Sequence, residues 1–244
     1  MAVRRVRVQR AADEPHNFFI SMTDMMVGMI FLFIIMLMFF ALKLERAASQ
    51  GVNLIASLTT TEEVRATILA ALQDDMTRQG IQVLTNPQQG VLSLSETILF
   101  DKGKAELSRR GEEAIALLAE SLYKNLVCYT VLADGPPAKD CPVTTHSIEA
   151  VLIEGHTDSD GADVANWNLS VKRSFNAYQF IMSVNPNLPR LLNRNRQAIF
   201  SIAGYGKQRP AYPNDIDENK HKNRRVDIRL IMVPPDANDV RTRP

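Results

Sequence analysis

One membrane-crossing helix followed by a single α/β domain is the architecture that this 244-residue sequence predicts. Three observations lead to it. An apolar run, "SMTDMMVGMIFLFIIMLMFF" from Ser21 to Phe40, stands near the start of a chain that is otherwise mixed in character. The roughly 200 residues behind it suffice for one hydrophobic core and a connecting segment. Within them, short apolar stretches bounded by Gly, Pro and Asn are interleaved with helical spacings, the pattern of helices packed on a sheet.

No residue from Met25 to Leu42 is charged, and Phe18, Phe19 and Ile20 extend the apolar segment to about 25 residues, long enough to cross roughly 30 Å of hydrocarbon with some tilt. A soluble core helix of this length is rarely apolar all round, and a cleaved signal has a shorter apolar centre followed by a small-residue cleavage site. The span is expected at 16–43, after a tail over 1–15. Arg4, Arg5, Arg7 and Arg10 precede it and only Lys43 and Arg46 follow closely, so the N-terminus is expected in the cytoplasm and the remainder beyond the inner membrane.

Residues 44–80 read as a helix continuation or juxtamembrane linker interrupted at Gly51, then an amphipathic helix over 61–79. Thr60 and Glu63 have capping-box spacing, Val64, Ile68, Leu72 and Met76 recur at helical intervals, and Gly80 is a stop signal. The domain is expected at 81–235. "IQVLT" and "VLSLS" around "NPQQG" signal a hairpin. Ala114, Leu117, Leu118 and Leu122 suggest a helix over 108–122, "IEAVLIEG" a buried strand, residues 168–183 a helix ended by "NPNLP", and "AIFSIAG" and "VDIRLIM" two closing strands. The tail over 236–244 reads as disordered.

Net charge is +1, with no stripe of Lys and Arg, so no direct nucleic-acid partner is expected. Cys128 and Cys141 flank the turn-rich "YTVLADGPPAKD". An oxidising compartment would let them pair, although spacing alone leaves two free thiols open. No metal, cofactor or catalytic centre is expected: "DSDG" places Gly161 at the fourth position of a would-be calcium loop and Leu169 at the twelfth, and the histidines lack metal-ligand spacing.

Four strings occur in order: "ILFDKGKAELSRRG" at 98–111, "IEGHTDSDG" at 153–161, "NWNLSVKR" at 166–173, and "GYGKQRP" with "NRRVDIRL" at 204–210 and 223–230. Together they resemble the OmpA-like peptidoglycan-binding domain, over roughly residues 90–232. The resemblance implies that Asp158 and Arg173 hold the free end of diaminopimelate in the peptidoglycan stem peptide, with Asn166, Leu169, Asn223 and Arg225 shaping the pocket. The chemistry agrees, since that end is a zwitterion requiring an acceptor for its ammonium and a donor fork for its carboxylate. The plainer alternative is that Asp158 and Arg173 pair with each other.

Asp24 lies about six residues inside a helix that enters the membrane near Phe18, or roughly 9 Å deep, where an ionised carboxylate is expensive. It reads as a helix cap or interfacial residue, or as a site that binds and releases a proton. A short tail, one span with an early Asp and a C-terminal OmpA-like domain resemble MotB-type stator subunits, and "PHNFFISMTDMMVGMIFLFIIMLMFFALKLE" is most similar to the ZorB family of the Zorya anti-phage defence system. That resemblance implies a homodimer inside a ring of five MotA-like (ZorA) subunits, proton passage past Asp24, and no enzymatic activity of this chain.

Overall fold

The computed structural model describes residues 15–134, 138, 141–142 and 144–233, with side chains omitted for 15–21 and 49–59. The expected N-terminal and C-terminal tails therefore fall almost wholly outside the described residues. The chain divides into two compact units, Met1–Ile55 and Ala56–Pro244.

The first unit is helical. Helix α1 (Pro15–Arg78) includes the segment Met22–Ala48, whose mean hydropathy of 2.8 makes it long and apolar enough to cross a membrane. Every side chain in that segment is exposed within this single chain, so the segment adds nothing to this protein's own core.

The anticipated break at Gly51 and fresh helix start at Thr60 do not occur, because α1 continues through both. A cap signal starts a helix only where the preceding residues leave helical geometry. The stretch before Thr60 contains no proline and is rich in Ala and Leu, so elongation outcompetes a new start. α1 ends where expected, at Arg78, with Gly80 at φ +75°.

The second unit begins at Ala56 rather than at the expected residue 81. Ile68, Leu69, Leu72 and Met76 of α1 are buried in its core. Asp75 fastens the same helix: it accepts hydrogen bonds from Ser121 Oγ (2.8 Å), Lys124 Nζ (2.9 Å) and Asn125 Nδ2 (3.1 Å). The Lys124 contact is the main influence that holds its carboxyl below the ordinary value. The amphipathic stretch is thus a core element of the domain.

Next come β1 (Leu84–Asn86), β2 (Val91–Ser95), the one-turn helix α2 (Glu96–Leu99), α3 (Arg109–Leu126), β3 (Val131–Leu132), β4 (Ser147–His156), α4 (Asp163–Val184), β5 (Leu191–Leu192), β6 (Phe200–Gly204), α5 (Asp217–Asn223) and β7 (Arg225–Val233). The main sheet has the order β1-β2-β7-β4-β6, antiparallel except for the parallel β4–β6 pair, while β3 and β5 form a separate ribbon. The hairpin, the two long helices and the three later strands lie where the sequence places them. α2, α5 and the β3–β5 ribbon were not legible, being too short to show a period.

Strand register separates two faces. Leu92, Leu94, Val226, Ile228, Leu230, Val151 and Ile153 point into the core with residues of α3, α4 and the end of α1. The opposite face carries Ser93, Glu154, His156, Arg225, Asp227 and Arg229, as the period of two requires. α4 lies very close to β4: a Cβ at Gly155 would come within 2.0 Å of the Ser170 carbonyl oxygen, so only glycine permits this approach.

Cys128 and Cys141 are bonded to each other, which resolves the alternative in favour of pairing. Their sequence separation is 13, a loop for which chain entropy predicts about 3 kcal/mol of stabilisation. The double variant Cys128→Ser/Cys141→Ser should remain folded but lose up to about that amount in chemical denaturation, and the unreduced, denatured parent should take up no thiol label. Quantitative labelling of both cysteines would count against the bond.

Candidate functional site

Three strand ends meet at one edge of the main sheet. Ser95 of β2 and His156 of β4 both pair with Arg225 of β7, so the residues just beyond each terminus are brought together. Glu96 N–H donates to Arg224 O at 2.9 Å, extending the ladder by one step. The site is built from these extensions together with α4, which Gly155 allows to close over β4.

Asp158 follows β4 in the loop leading to α4. Its Oδ1 accepts from Asp160 N–H at 3.1 Å, an Asx-type turn, and its Oδ2 pairs with Arg224 NH1. Arg173, on α4, donates from Nε to Lys104 O (2.9 Å) and from NH2 to Glu96 Oε1 (2.7 Å), with its guanidinium 5.0 Å from the Phe100 ring centroid. Glu96 Oε2 lies 2.9 Å from Arg224 Nε. The result is a continuous ionic chain, Asp158–Arg224–Glu96–Arg173, of two carboxylates and two guanidinium groups. Asp158 and Arg173 are in one network, but they do not pair directly.

The remaining anticipated residues divide. Asn166 is buried, and its Nδ2 donates to Asp160 O at 2.9 Å, holding the Asp158 loop. Asn223 is fully buried and engaged on both ends of its amide: Oδ1 accepts from Ala211 and Tyr212 N–H (2.8 and 3.0 Å), while Nδ2 donates to Tyr212 O and Asn214 Oδ1 (2.8 and 2.9 Å). Asn214 Oδ1 in turn accepts from Ser159 N–H at 3.3 Å, so Asn223 braces one loop against the other. Leu169 is half-buried on α4.

Arg225 belongs elsewhere, on the polar sheet face with Asp227. The members that the motif reading passed over are Arg224, beside two residues it did name, and Glu96, in a helix too short to announce itself. Asp24 sits in the other unit, exposed on α1 two residues inside the apolar segment.

The polar face is a second, separate cluster. Arg229 grips Glu154 with Nε 3.0 Å from both carboxylate oxygens, and Arg225 grips Asp227 with Nε at 3.1 and 3.0 Å. Ser93 Oγ donates to Asp227 at 2.6 Å. His156 Nε2 is 3.3 Å from Asp227 Oδ2, and its ring stacks on Tyr205 at 5.3 Å. Burial pushes the Asp227 carboxyl up, but His156, Arg225 and Ser93 together hold it below its ordinary value. Burial and the Glu154 charge push the Tyr205 phenol up.

Among the described residues, Glu154, His156 and Asp227 are the set whose ligand atoms lie close enough to hold a metal ion. Each carboxylate is already neutralised by an arginine, so a divalent cation would have to displace both guanidinium groups. The cluster is a charge-balanced structural network. A broad groove runs over it, lined by Ser93, Glu154, His156, Tyr205, Arg225 and Arg229; neither Asp158 nor Arg173 lines that groove.

Residues 143–224 match the sequence model described as the OmpA family. Over 174 residues the chain is 26% identical to Motility protein B of Bacillus subtilis, covering 70% of this chain and 56% of that protein. It is 26% identical over 161 residues to the probable lipoprotein YiaD of Escherichia coli, covering 66% and 60%. The chain thus spans little more than half the length of these relatives. A putative MotB-like protein from Desulfovibrio vulgaris superposes with a TM-score of 0.50 at 21% identity, over 70% of this chain and 96% of that one. The fold of the second unit is therefore OmpA-like, as the ordered strings imply.

The depressed Asp227 carboxyl gives a signed expectation. A group with a lowered folded-state pKa contributes stability above its unfolded value, about 3.9, and loses it as pH falls through the folded value. Asp227→Asn leaves Arg225 unpaired at the sheet face and should cost about 3 kcal/mol near neutral pH. The gap from the parent should narrow as pH falls below about 4. Urea unfolding across that range measures both effects; a gap that stays constant to low pH would contradict the assignment.

Proposed function

We propose that this chain is a membrane-anchored stator subunit that grips peptidoglycan through its OmpA-like domain, and that it belongs to an ion-driven motor of the Zorya type. The observation that carries the reading is Asp24. A chain that merely ties a membrane to the wall has no reason to place a carboxylate inside its apolar segment, whereas a carboxylate there can load and release a proton. Torque also requires that something hold still, and an OmpA-like domain on the same chain supplies the grip.

In this reading the basic residues Arg4 to Arg10 keep the N-terminus cytoplasmic, and the domain with its disulfide lies in the periplasm. Two copies pair their spans inside a ring of five MotA-like subunits, which cover the exposed apolar helix. The wall ligand is the zwitterionic free end of diaminopimelate, its ammonium on Asp158 and its carboxylate on the arginines of the ionic chain. The similarity to Motility protein B supports a second member of the same class, a flagellar stator. A MotA-like gene beside helicase or nuclease genes favours defence, and flagellar neighbours favour motility.

Asp24→Asn keeps the side chain's shape but cannot exchange a proton. It should leave membrane insertion and complex formation intact while abolishing phage protection in cells carrying the complete gene set. Asp158→Ala should also abolish protection, and should reduce co-sedimentation of the full-length, detergent-solubilised protein with sacculi while Asp24 remains in place. Full protection by D24N would sink the motor reading, and unchanged sedimentation of Asp158→Ala would sink the wall site.

A further inference from the structure

One edge of the main sheet is open. Among the described residues β6 pairs with β4 alone. Its sequence, "FSIAG", lacks the charges, prolines and bulges by which proteins keep a strand edge from being joined. Beside it runs an apolar stripe on α4: Val164, Trp167, Val171 and Phe175 recur at helical spacing, and all are exposed. A Cβ on Gly204 would meet Val171 Cγ2 at 2.5 Å, and one on Gly206 would meet Trp167 N at 3.4 Å, so the stripe lies on the flank of α4 nearest β6. Ile202, 37% exposed, is registered with the core residue Ile153 and therefore joins the stripe on the helix face of the sheet.

We propose that this edge docks a second copy of the chain: β6 pairs antiparallel with β6 of the other domain about a twofold axis at Ile202, and the two α4 stripes pack together beside it. The inference rests on the paired-subunit reading above and adds to it the surface through which the domains meet. Self-pairing centred on Ile202 sets Ser201 against Ala203, and Phe200 against Gly204, of the second copy. The Phe200 ring then covers a residue that has no side chain of its own. No charged side chain of β6 or of the stripe faces its own copy.

Backbone direction supports that register. Val151 N–H donates to Ile199 O, and Tyr205 N–H donates to Gly155 O, so residues 199 and 205 turn their polar groups toward β4. By strand alternation 201 and 203 do the same, while Phe200, Ile202 and Gly204 point theirs outward. In the self-paired register each of those residues finds a donor and an acceptor in the other copy. Helix spacing agrees. α4 packs equally on β4 and β6, so a strand spacing of about 4.8 Å sets the two α4 axes roughly 10 Å apart, an ordinary packing distance. α4 runs back against the direction of β6, as a crossover between parallel strands must. Four residues of helix rise about as far as two of strand, so Phe175 stands level with Ile202 and meets its own copy at the axis.

The occupant is a second copy rather than an unrelated strand for two reasons. A neutral edge offers nothing by which a charged partner is selected, whereas its own copy matches it in size and polarity across the axis. The other edge of the sheet, β1, has only three residues and is followed by Pro87, so a head-to-tail chain of β6 on β1 would pair poorly and the closed twofold pair is favoured. Two copies already held in one assembly also meet at high effective concentration, so a short ladder and one apolar stripe suffice.

Both native cysteines are bonded to each other, so an added cysteine is the sole free thiol. The whole chain carrying Ile202→Cys, oxidised mildly in bacterial membranes, should run as a disulfide-linked dimer, since facing residues of an antiparallel pair stand about 5.5 Å apart at Cα. Leu84→Cys, on the opposite edge, should not link. Adding Phe175→Glu to Ile202→Cys sets two carboxylates face to face at the axis and should abolish the link, with folding judged by retention of the parent's melting. Light scattering of the detergent-solubilised chain separates the failures. A dimer in which folded Ile202→Cys gives no link, or links equally well with Phe175→Glu, overturns this docking surface and leaves the paired-subunit reading standing. Linkage of the Ile202→Cys thiol to a chain of another mass gives the edge to a different partner and also overturns the proposal. A monomeric parent overturns the paired-subunit reading, and this inference with it.

Discussion

A buried carboxylate, Glu96, shared between two arginines is the constraint on which the candidate site depends. With its side chain 6% exposed, Glu96 would be intolerable alone, since an isolated buried charge costs several kcal/mol. The guanidinium groups of Arg173 and Arg224 remove that cost by approaching from different elements, one from α4 and one from the entry to β7. Each element is therefore fixed relative to α2, and Asp158 is fixed through Arg224. No residue of this chain can be removed without leaving an opposite charge uncompensated in a poorly solvated place. That interdependence explains why a site on four chain segments has a single geometry.

The same constraint explains why the sheet register matters. Only because Ser95, Arg225 and His156 lie in one cross-strand row do Glu96, Arg224 and Asp158 emerge side by side. A slip of one residue in β7 would exchange Arg224 for Arg225. It would also turn Val226, Ile228 and Leu230 out of the core, so the hydrophobic pattern enforces the site. The neighbouring cluster of Glu154, Asp227, Arg225 and Arg229 obeys the same arithmetic on the uncovered face. It leaves that face polar but charge-balanced, with Glu154 of β4 gripped by Arg229 from the adjacent β7 and Asp227 gripped by Arg225 two residues away on β7 itself.

The apolar helix, the hairpin, α3, α4 and the strands β4, β6 and β7 could be read from periodicity and turn residues because each runs long enough for a pattern to repeat. α2, α5 and the β3–β5 ribbon are two to seven residues long, and their existence is decided by tertiary partners. The continuous α1 was missed because a capping box has the same composition whether or not the helix precedes it. In the site, Asp158, Asn166 and Arg173 were legible as motif residues. Their true partners were not, since spacing in sequence says nothing about Glu96, which lies 77 residues from Arg173. The plainer alternative, a direct Asp158–Arg173 pair, does not form; the two are joined by a relay through Arg224 and Glu96.

A balanced ionic chain has an energetic consequence for any ligand it takes. On the proposed reading, a ligand ammonium taken by Asp158 competes with the existing Asp158–Arg224 contact, so the net gain is the difference between two large terms. Such a competition would keep affinity at one site modest while favouring a ligand whose charges replace the contact it displaces. On the proposed reading, modest affinity is adequate. The wall presents the same stem peptide many times, and two domains held in one assembly meet it at high effective concentration, so that release of one leaves the other attached. A site that trades strength for discrimination then suits an anchor, which must choose one chemical end of a polymer and hold it by number rather than by a single tight bond.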